Sequence, residues 1–271
     1  MTRLLRELDR LDAGRPRPRS AARVRGDVRR RVTATALALG LVVVIGGTFA
    51  HKQWGLTITA DGLRLATPLG TPPEVAGGGS FAYMATQQTS DRPVAYDPCD
   101  PVEYVVNDAL APQGTDGILV SAVEEISAAT GLAFRVVGTT DEEPRERPQA
   151  LGPRRRPVLV AWTTPDVVPD LSGSVAGVAG SAARHDEYTG ESRYVTGMVA
   201  LDAPQLAEIV ARPQGAEQVR AIVVHELGHL VGLDHVDDPR ELMYPENTGR
   251  TDLGPGDRQG LARLGAGRCF H

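Results

Sequence analysis

Three histidines and one glycine stand at a spacing that can build a metal site. His225 and His229 are four residues apart, so a helix of about 3.6 residues per turn brings both imidazoles to one face. Gly232 follows three residues later and is a natural end for that helix, because glycine readily adopts a left-handed conformation. The turn that Gly232 allows can bring His235 back as a third ligand.

The chemistry of such a site follows from its ligands. Neutral imidazole binds Zn²⁺ well, and three protein ligands leave a fourth position open for water, as catalytic zinc sites do. Zinc lowers the pKa of that water from about 15.7 to about 7. Glu226 stands beside the first histidine, points in a different direction around the helix and is placed to accept the proton of the water. The pattern predicts zinc-dependent hydrolysis, with His225, His229 and His235 as ligands and Glu226 as general base.

The full pattern, HExxHxxGxxH, fixes five residues over eleven positions, and Met243 follows eight residues after the last histidine. An isolated HExxH arises by chance on many helices, but the extended form does so on the order of once in ten thousand chains of this length or less. The segment from His225 to Pro245 resembles the metzincin clan of zinc peptidases, and most of all the bacterial-type relatives in its matrixin branch. The resemblance implies that Met243 lies in a Met-turn beneath the metal, and that the substrate is a peptide or protein.

The resemblance also implies the fold. It predicts an α+β domain, a mixed five-stranded twisted sheet with a zinc helix and a Met-turn, over about residues 95–271. One strand upstream of the zinc helix, near Val178 to Ala182, should be an exposed edge to which the substrate adds as a further strand.

Many matrixins hold a second zinc ion with a cluster of His and Asp residues before the edge strand. This chain offers only His185 in that region, so one catalytic zinc is expected. Calcium bound by Asp186, Glu187 or Glu191 is an alternative that stays open beside a solvated acidic turn.

Hydrophobic periodicity predicts the elements of this domain independently. Strands are expected at 102–107, 132–137, 157–163 and 194–201, with an extended Gly/Ala-rich piece at 175–182. Helices are expected at 118–130, ended by Gly131, at about 216–231, which carries the zinc motif, and at 257–264.

The charges are unevenly distributed and indicate a membrane rather than nucleic acid as the partner. Residues 1–31 hold eleven Arg and four acidic residues, whereas the rest of the chain holds 18 basic and 30 acidic residues, a formal net charge of −12. Residues 32–50 carry no charge and are long enough to span a hydrocarbon core. Arg29, Arg30 and Arg31 stand before them, so the N-terminus is expected in the cytoplasm and the chain after residue 50 outside.

Two alternatives to a membrane anchor remain at 32–50. Thr48-Phe49-Ala50 resembles the cleavage site of a signal peptide, and a buried core helix is also compatible with the composition. We expect a basic cytoplasmic tail at 1–31, a transmembrane signal-anchor at 32–50, a stalk at 51–95 and a metallopeptidase domain at 96–271. The protein should act as a monomer, secreted if the anchor is cleaved.

The chain has two cysteines, Cys99 and Cys269, and neither has a metal-binding spacing. In an exported chain they are expected to form one disulfide bond between the start and the end of the domain. The alternative is a cysteine switch, in which the Cys99 thiolate occupies the open zinc position. The setting Pro98-Cys99-Asp100-Pro101 lacks the Arg before and the Gly after the cysteine that this family's switch carries.

The sequence therefore predicts a zinc endopeptidase that acts outside the cytoplasm. One alternative is a catalytically silent zinc-containing module that binds peptides or cell-surface material, although such a module would not need Glu226. Another is a membrane signalling protein in which the Arg-rich tail at 1–31 is the functional part.

Overall fold

The computed structural model describes residues 56–59, 62–65, 67–144, 156–246 and 248–269. Five strands form its main sheet: β4 (Val102–Asn107), β5 (Phe134–Thr139), β6 (Val158–Thr163), β7 (Gly177–Asp186) and β8 (Glu191–Asp202). Their order is β5-β4-β6-β8-β7. The first four of these run parallel, and β7 runs antiparallel to β8 at one edge. The predicted α+β fold with a mixed five-stranded sheet is confirmed.

Four α-helices lie in the described residues: α1 (Ile118–Thr130), α2 (Ala203–Val210), α3 (Gly215–Val231) and α4 (Pro255–Gly265). Helix α1 ends at Gly131, which has a φ of 73°. Helix α3 ends at Gly232, which has a φ of 122° and donates its N–H to the carbonyls of Gly228 and His229. Both glycines end their helices where the sequence predicts.

Helix α2 has no counterpart among the elements predicted from the sequence. Asp202 caps its first turn by accepting a hydrogen bond from the Gln205 N–H at 3.2 Å, and Pro204 lies within that turn. Aspartate at the N-cap and proline in the first turn are common helix-start signals. They could have been recognised, but the helix has only eight residues and follows a strand without an intervening loop.

The central strand β6 is buried along its whole length because both faces of the sheet are covered there. On one face Val160 and Trp162 pack into the core formed with α1 and α3. On the other face Val168 and Leu171, from the loop after β6, pack against Ala200 of β8. The sheet thereby provides a rigid support for α3.

The segment before the sheet lies against the domain, whereas its composition predicts part of a stalk at 51–95. The Leu69 N–H donates to the Pro98 carbonyl at 2.8 Å, and Val94 is buried in the core. The Gly77-Gly78-Gly79 run, which indicates a linker by composition, permits a close approach of two backbones. A Cβ on Gly79 would lie 2.0 Å from the Gly256 nitrogen.

Four short strands form two small antiparallel pairs outside the main sheet. The strands β1 (Leu56–Thr59) and β2 (Gly62–Leu65) form the antiparallel hairpin that the Asp61-Gly62 pair predicts. Farther along, β3 (Ala82–Tyr83) pairs antiparallel with β9 (Leu233–Asp234). Strand β9 follows directly after α3.

Cys99 and Cys269 form the predicted disulfide bond, with their Cα atoms 5.3 Å apart. The bond joins the start of β4 to the chain after α4 and leaves no thiol for the cysteine-switch alternative. No helix in the described ranges is both long and apolar enough to cross a bilayer. The tail at 1–31 and the predicted anchor at 32–50 lie outside the described residues.

Candidate metal centre

The three histidines of the motif converge on one point. The Nε2 atom of His225 lies 3.1 Å from that of His229 and 3.2 Å from that of His235, and the last two are 3.1 Å apart. Tetrahedral zinc with Zn–N distances of about 2.0–2.1 Å needs donor atoms about 3.3 Å apart. The separation of the nitrogen atoms therefore fits three ligands of a single ion.

Two of the three imidazoles have their other nitrogen fixed by the backbone. His225 Nδ1 donates to the Leu242 carbonyl at 2.8 Å, and His229 Nδ1 donates to the Leu233 carbonyl at 2.9 Å. These bonds place the proton of each neutral ring on Nδ1 and leave a lone pair on Nε2. Such partners orient metal-binding histidines and raise their basicity.

The third histidine is placed by β9, which turns away from the helix axis after Gly232. Leu233 and Asp234 pair with β3, and Asp234 Oδ1 accepts the His235 N–H at 2.8 Å. The position of His235 thus depends on a strand from the segment that the sequence predicts as a stalk.

Burial keeps the ligands in the form that binds metal. Burial, with a smaller contribution from the neighbouring His229, lowers the pKa of His225 to about 4. Burial also lowers the pKa of His229. Both rings are therefore neutral at neutral pH, so a metal ion does not compete with protons for them.

Glu226 lies beside the triad with 6% of its surface exposed. Its Oε2 atom has no hydrogen-bond partner among the described residues, and burial raises its pKa to about 8. A cation held by the three histidines would favour the ionised form of the carboxyl group. A carboxyl group that titrates near neutral pH is well suited to accept and return a proton.

Close approach of the edge strand holds Glu226 in place. A Cβ on Gly177, the first residue of β7, would lie 2.6 Å from Glu226 Cγ and 2.9 Å from its Oε1. Because Glu226 is buried, it has little room to move away. The carboxylate can therefore occupy this position only because Gly177 has no side chain.

Replacing Gly177 by Ala should lower kcat/KM by about 10-fold to 100-fold, because a displacement of a catalytic group by about 1 Å can cost that much. Zinc content should stay at the wild-type value, since Gly177 lines the site beside Glu226 and contributes no ligand. Gly267→Ala is the control, because the Cβ it would add makes only an ordinary contact, 3.7 Å from Pro98 Cδ, and Gly267 does not line the cleft. Equal activities of the two variants would show that Gly177 does not set the position of Glu226.

Met243 lies directly beneath the zinc-motif helix. It is 1% exposed, and a Cβ on Gly228 would lie 2.9 Å from its sulfur atom. The Met243 carbonyl accepts the Val236 N–H at 3.1 Å, which ties the turn to the residue after the third histidine. Met243 is therefore a buried packing residue against this helix, which is compatible with the Met-turn that the resemblance implies.

The triad and Glu226 open onto a cleft of about 700 Å³. One wall is the first part of β7 with the residues before it, and another is the chain after the Met-turn, including Tyr244 and Pro245. Helix α2, which sequence analysis missed, contributes Gln205 and Ile209. Met84 lines the cleft from the N-terminal side, and no described residue before it does so.

The other sequence-predicted candidates lie apart from this cleft. His185 Nδ1 is hydrogen-bonded to Ser192 Oγ at 3.2 Å. Asp186 Oδ1 accepts the N–H groups of Tyr188 and Thr189 and thereby shapes the β7–β8 turn. Neither residue belongs to a group of three potential metal ligands within the described residues. Calcium at this turn stays a prediction.

The comparisons with known proteins agree with the motif. A family model described as Matrixin matches residues 173–264, the segment from just before β7 to the end of α4, which holds the triad, Glu226 and Met243. None of the curated proteins matches the chain. A solved structure described as the GM1-bound form of the ECX AB5 holotoxin shares 15% identity with it, at a TM-score of 0.36, over 63% of this chain and 82% of that chain. That similarity is too low to carry an argument.

Proposed function

We propose that this chain, which carries a matrixin-like metzincin catalytic domain, is a zinc-dependent endopeptidase that acts outside the cytoplasm. The observation that carries the proposal is the convergence of three Nε2 atoms within 3.2 Å of one another beside the buried Glu226. Zn²⁺ bound by His225, His229 and His235 would supply a Lewis acid that polarises the scissile carbonyl and acidifies a water molecule.

The chain itself supplies the proton transfer. Glu226 accepts a proton from the attacking water as general base and returns it to the departing amine as general acid. Burial raises the pKa of Glu226 and so makes it a stronger base than an exposed carboxylate, which supports its role in taking up the proton of the water. Oε2 is buried and has no hydrogen-bond partner among the described residues, so it is available to accept the reacting proton.

The edge strand supplies the substrate-binding backbone. β7 is the last strand of the sheet, and its residues Gly177, Val178 and Ala179 line the cleft beside Glu226. A strand at a sheet edge carries unpaired N–H and C=O groups that an extended peptide can bind. This arrangement favours an unfolded peptide or protein segment as the substrate.

The location outside the cytoplasm is supported by the sequence and by the disulfide bond. A cluster of Arg residues before an uncharged segment, as at 29–31 and 32–50, is typical of a membrane anchor with a cytoplasmic N-terminus. Disulfide bonds such as Cys99–Cys269 persist in oxidising compartments and are rare in the cytoplasm.

The test is to incubate the full chain with an unfolded protein and to identify the new chain ends by mass spectrometry. We expect cleavage at several internal peptide bonds, at a rate within the range of ordinary enzymes. Binding of the unfolded protein without new chain ends would favour the catalytically silent binding module. Shortening from the ends alone would contradict an endopeptidase.

A further inference from the structure

One peptide unit of the Met-turn is hydrogen-bonded from both sides. Its carbonyl, that of Leu242, accepts the Nδ1–H of His225 at 2.8 Å. Its N–H, that of Met243, donates to Asp257 Oδ1 at 3.3 Å. A carboxylate and a candidate metal ligand therefore bind the same amide group from opposite ends.

Asp257 is held firmly in this position. It lies in the first turn of α4 with no exposed surface. Its Oδ2 atom accepts the N–H groups of Leu242 at 2.5 Å and Gly254 at 2.8 Å. Burial and, to a smaller extent, the nearby Glu241 raise the pKa of Asp257, and its hydrogen bonds from three backbone N–H groups oppose that effect. Three donors that converge on one carboxyl group favour its ionised form.

A negative charge on one side of an amide strengthens the hydrogen bond on the other side. The carboxylate draws positive charge towards the Met243 N–H and so increases the negative charge on the Leu242 oxygen. The hydrogen bond from His225 Nδ1 then becomes stronger, which makes His225 Nε2 more basic and fixes the orientation of the ring. The effect is larger in a buried site than in an exposed one, because little solvent screens it.

We propose that Asp257 is a positioning residue for the metal site, which orients His225 and strengthens its binding to zinc through the Leu242–Met243 peptide. The inference rests on the proposed zinc site. Asp257 touches neither the metal position nor the cleft, so its effect on the reaction is indirect.

The neighbouring ligand provides an internal comparison. His229 Nδ1 donates to the Leu233 carbonyl, and no carboxylate within the described residues accepts a hydrogen bond from the N–H of that peptide unit. Loss of the Asp257 charge should therefore change the His225 ring and leave the His229 ring as it is.

Glu241 provides the matched control variant. It is another buried carboxylate at the same junction, 1% exposed, and its Oε2 accepts the N–H groups of Gly256 at 2.8 Å and Asp257 at 3.0 Å. It holds the start of α4 but has no hydrogen bond to the Leu242–Met243 peptide. If Asp257 only stabilised the contact between residues 241–243 and the start of α4, Asp257→Asn and Glu241→Gln would have the same effects on Tm, zinc affinity and the histidine resonances.

The experiment compares the full chain with its Asp257→Asn and Glu241→Gln variants. Zinc affinity is measured by chelator competition, and the Nδ1–H resonances of His225 and His229 are recorded on the zinc-loaded, ¹⁵N-labelled protein. We expect Asp257→Asn to weaken zinc binding about 10-fold and to shift the His225 resonance upfield. The His229 resonance should not move, and Glu241→Gln should lower Tm while leaving zinc affinity and both resonances unchanged.

A wild-type measurement keeps the proposal testable if Asp257→Asn does not fold. Addition of zinc should shift the Met243 amide resonance downfield. Metal binding to His225 strengthens its hydrogen bond to the Leu242 carbonyl and, through the peptide unit, the hydrogen bond from the Met243 N–H to Asp257. The Gly254 amide donates to the same carboxylate but is not part of the Leu242–Met243 peptide, so its resonance should shift less. Equal shifts, or an unchanged His225 resonance in a folded Asp257→Asn variant, would overturn the inference. Failure of the wild-type chain to bind one zinc ion would instead overturn the proposed function.

Discussion

Replacement of Glu226 by Gln should reduce kcat by about 10²-fold to 10⁴-fold while the protein still binds one zinc ion. Glutamine has nearly the shape of glutamate, so it fits the buried position beside Gly177. Its amide cannot accept the proton of the attacking water, so the general base is lost. Peptide cleavage at saturating substrate measures kcat, and elemental analysis measures the zinc content.

The control for this variant is Glu217→Gln, which removes an exposed carboxylate in the first turn of the same helix. Its activity should stay within about twofold of the wild-type value, as is usual for a surface change. A Glu226→Gln variant that is as active as Glu217→Gln would show that another group accepts the proton.

Removal of the metal should abolish cleavage completely, and addition of one equivalent of Zn²⁺ should restore it. The histidines cannot replace the Lewis acid, because burial keeps His225 and His229 neutral rather than positively charged. The His229→Ala variant should lose both zinc and activity, because two ligands remain where three are needed. Cleavage of an unfolded protein after dialysis against a chelator checks the first expectation.

His185→Ala is the matched control for the ligand variant. His185 lies on the β7–β8 hairpin and is hydrogen-bonded to Ser192, away from the triad. Zinc content and cleavage should both remain at the wild-type values. Cleavage by the metal-free protein, or by His229→Ala without added metal, would exclude a zinc peptidase.

The sequence predicted the metal site because the necessary geometry is local. The four-residue spacing of His225 and His229 and the position of Gly232 follow from helical periodicity and from the φ that glycine permits. The sheet strands were predicted from their apolar runs, with errors at their ends. β7 and β8 extend to Asp186 and Glu191, where the polar sequence gave no signal for pairing.

Other features could not be predicted, because they depend on contacts between distant segments. The Gly77–Gly79 run indicates a linker by composition, yet Gly79 is required where the chain passes against Gly256. Gly177 gives no indication that it limits the position of Glu226, 49 residues away. Asp257 reads as an ordinary N-terminal helix residue until its contacts with Leu242 and Met243 are seen.

The sequence by itself determined which groups can bind zinc and move a proton, since side-chain chemistry and the period of one helix are properties of a short segment. The tertiary structure decided how those groups are held. It set the position of His235 through β9 and β3, the position of Glu226 through β7, and the partner of His225 through the Leu242 carbonyl. These contacts form only when separate segments pack together, because the free energy that fixes them comes from burial and from hydrogen bonds between distant parts of the chain.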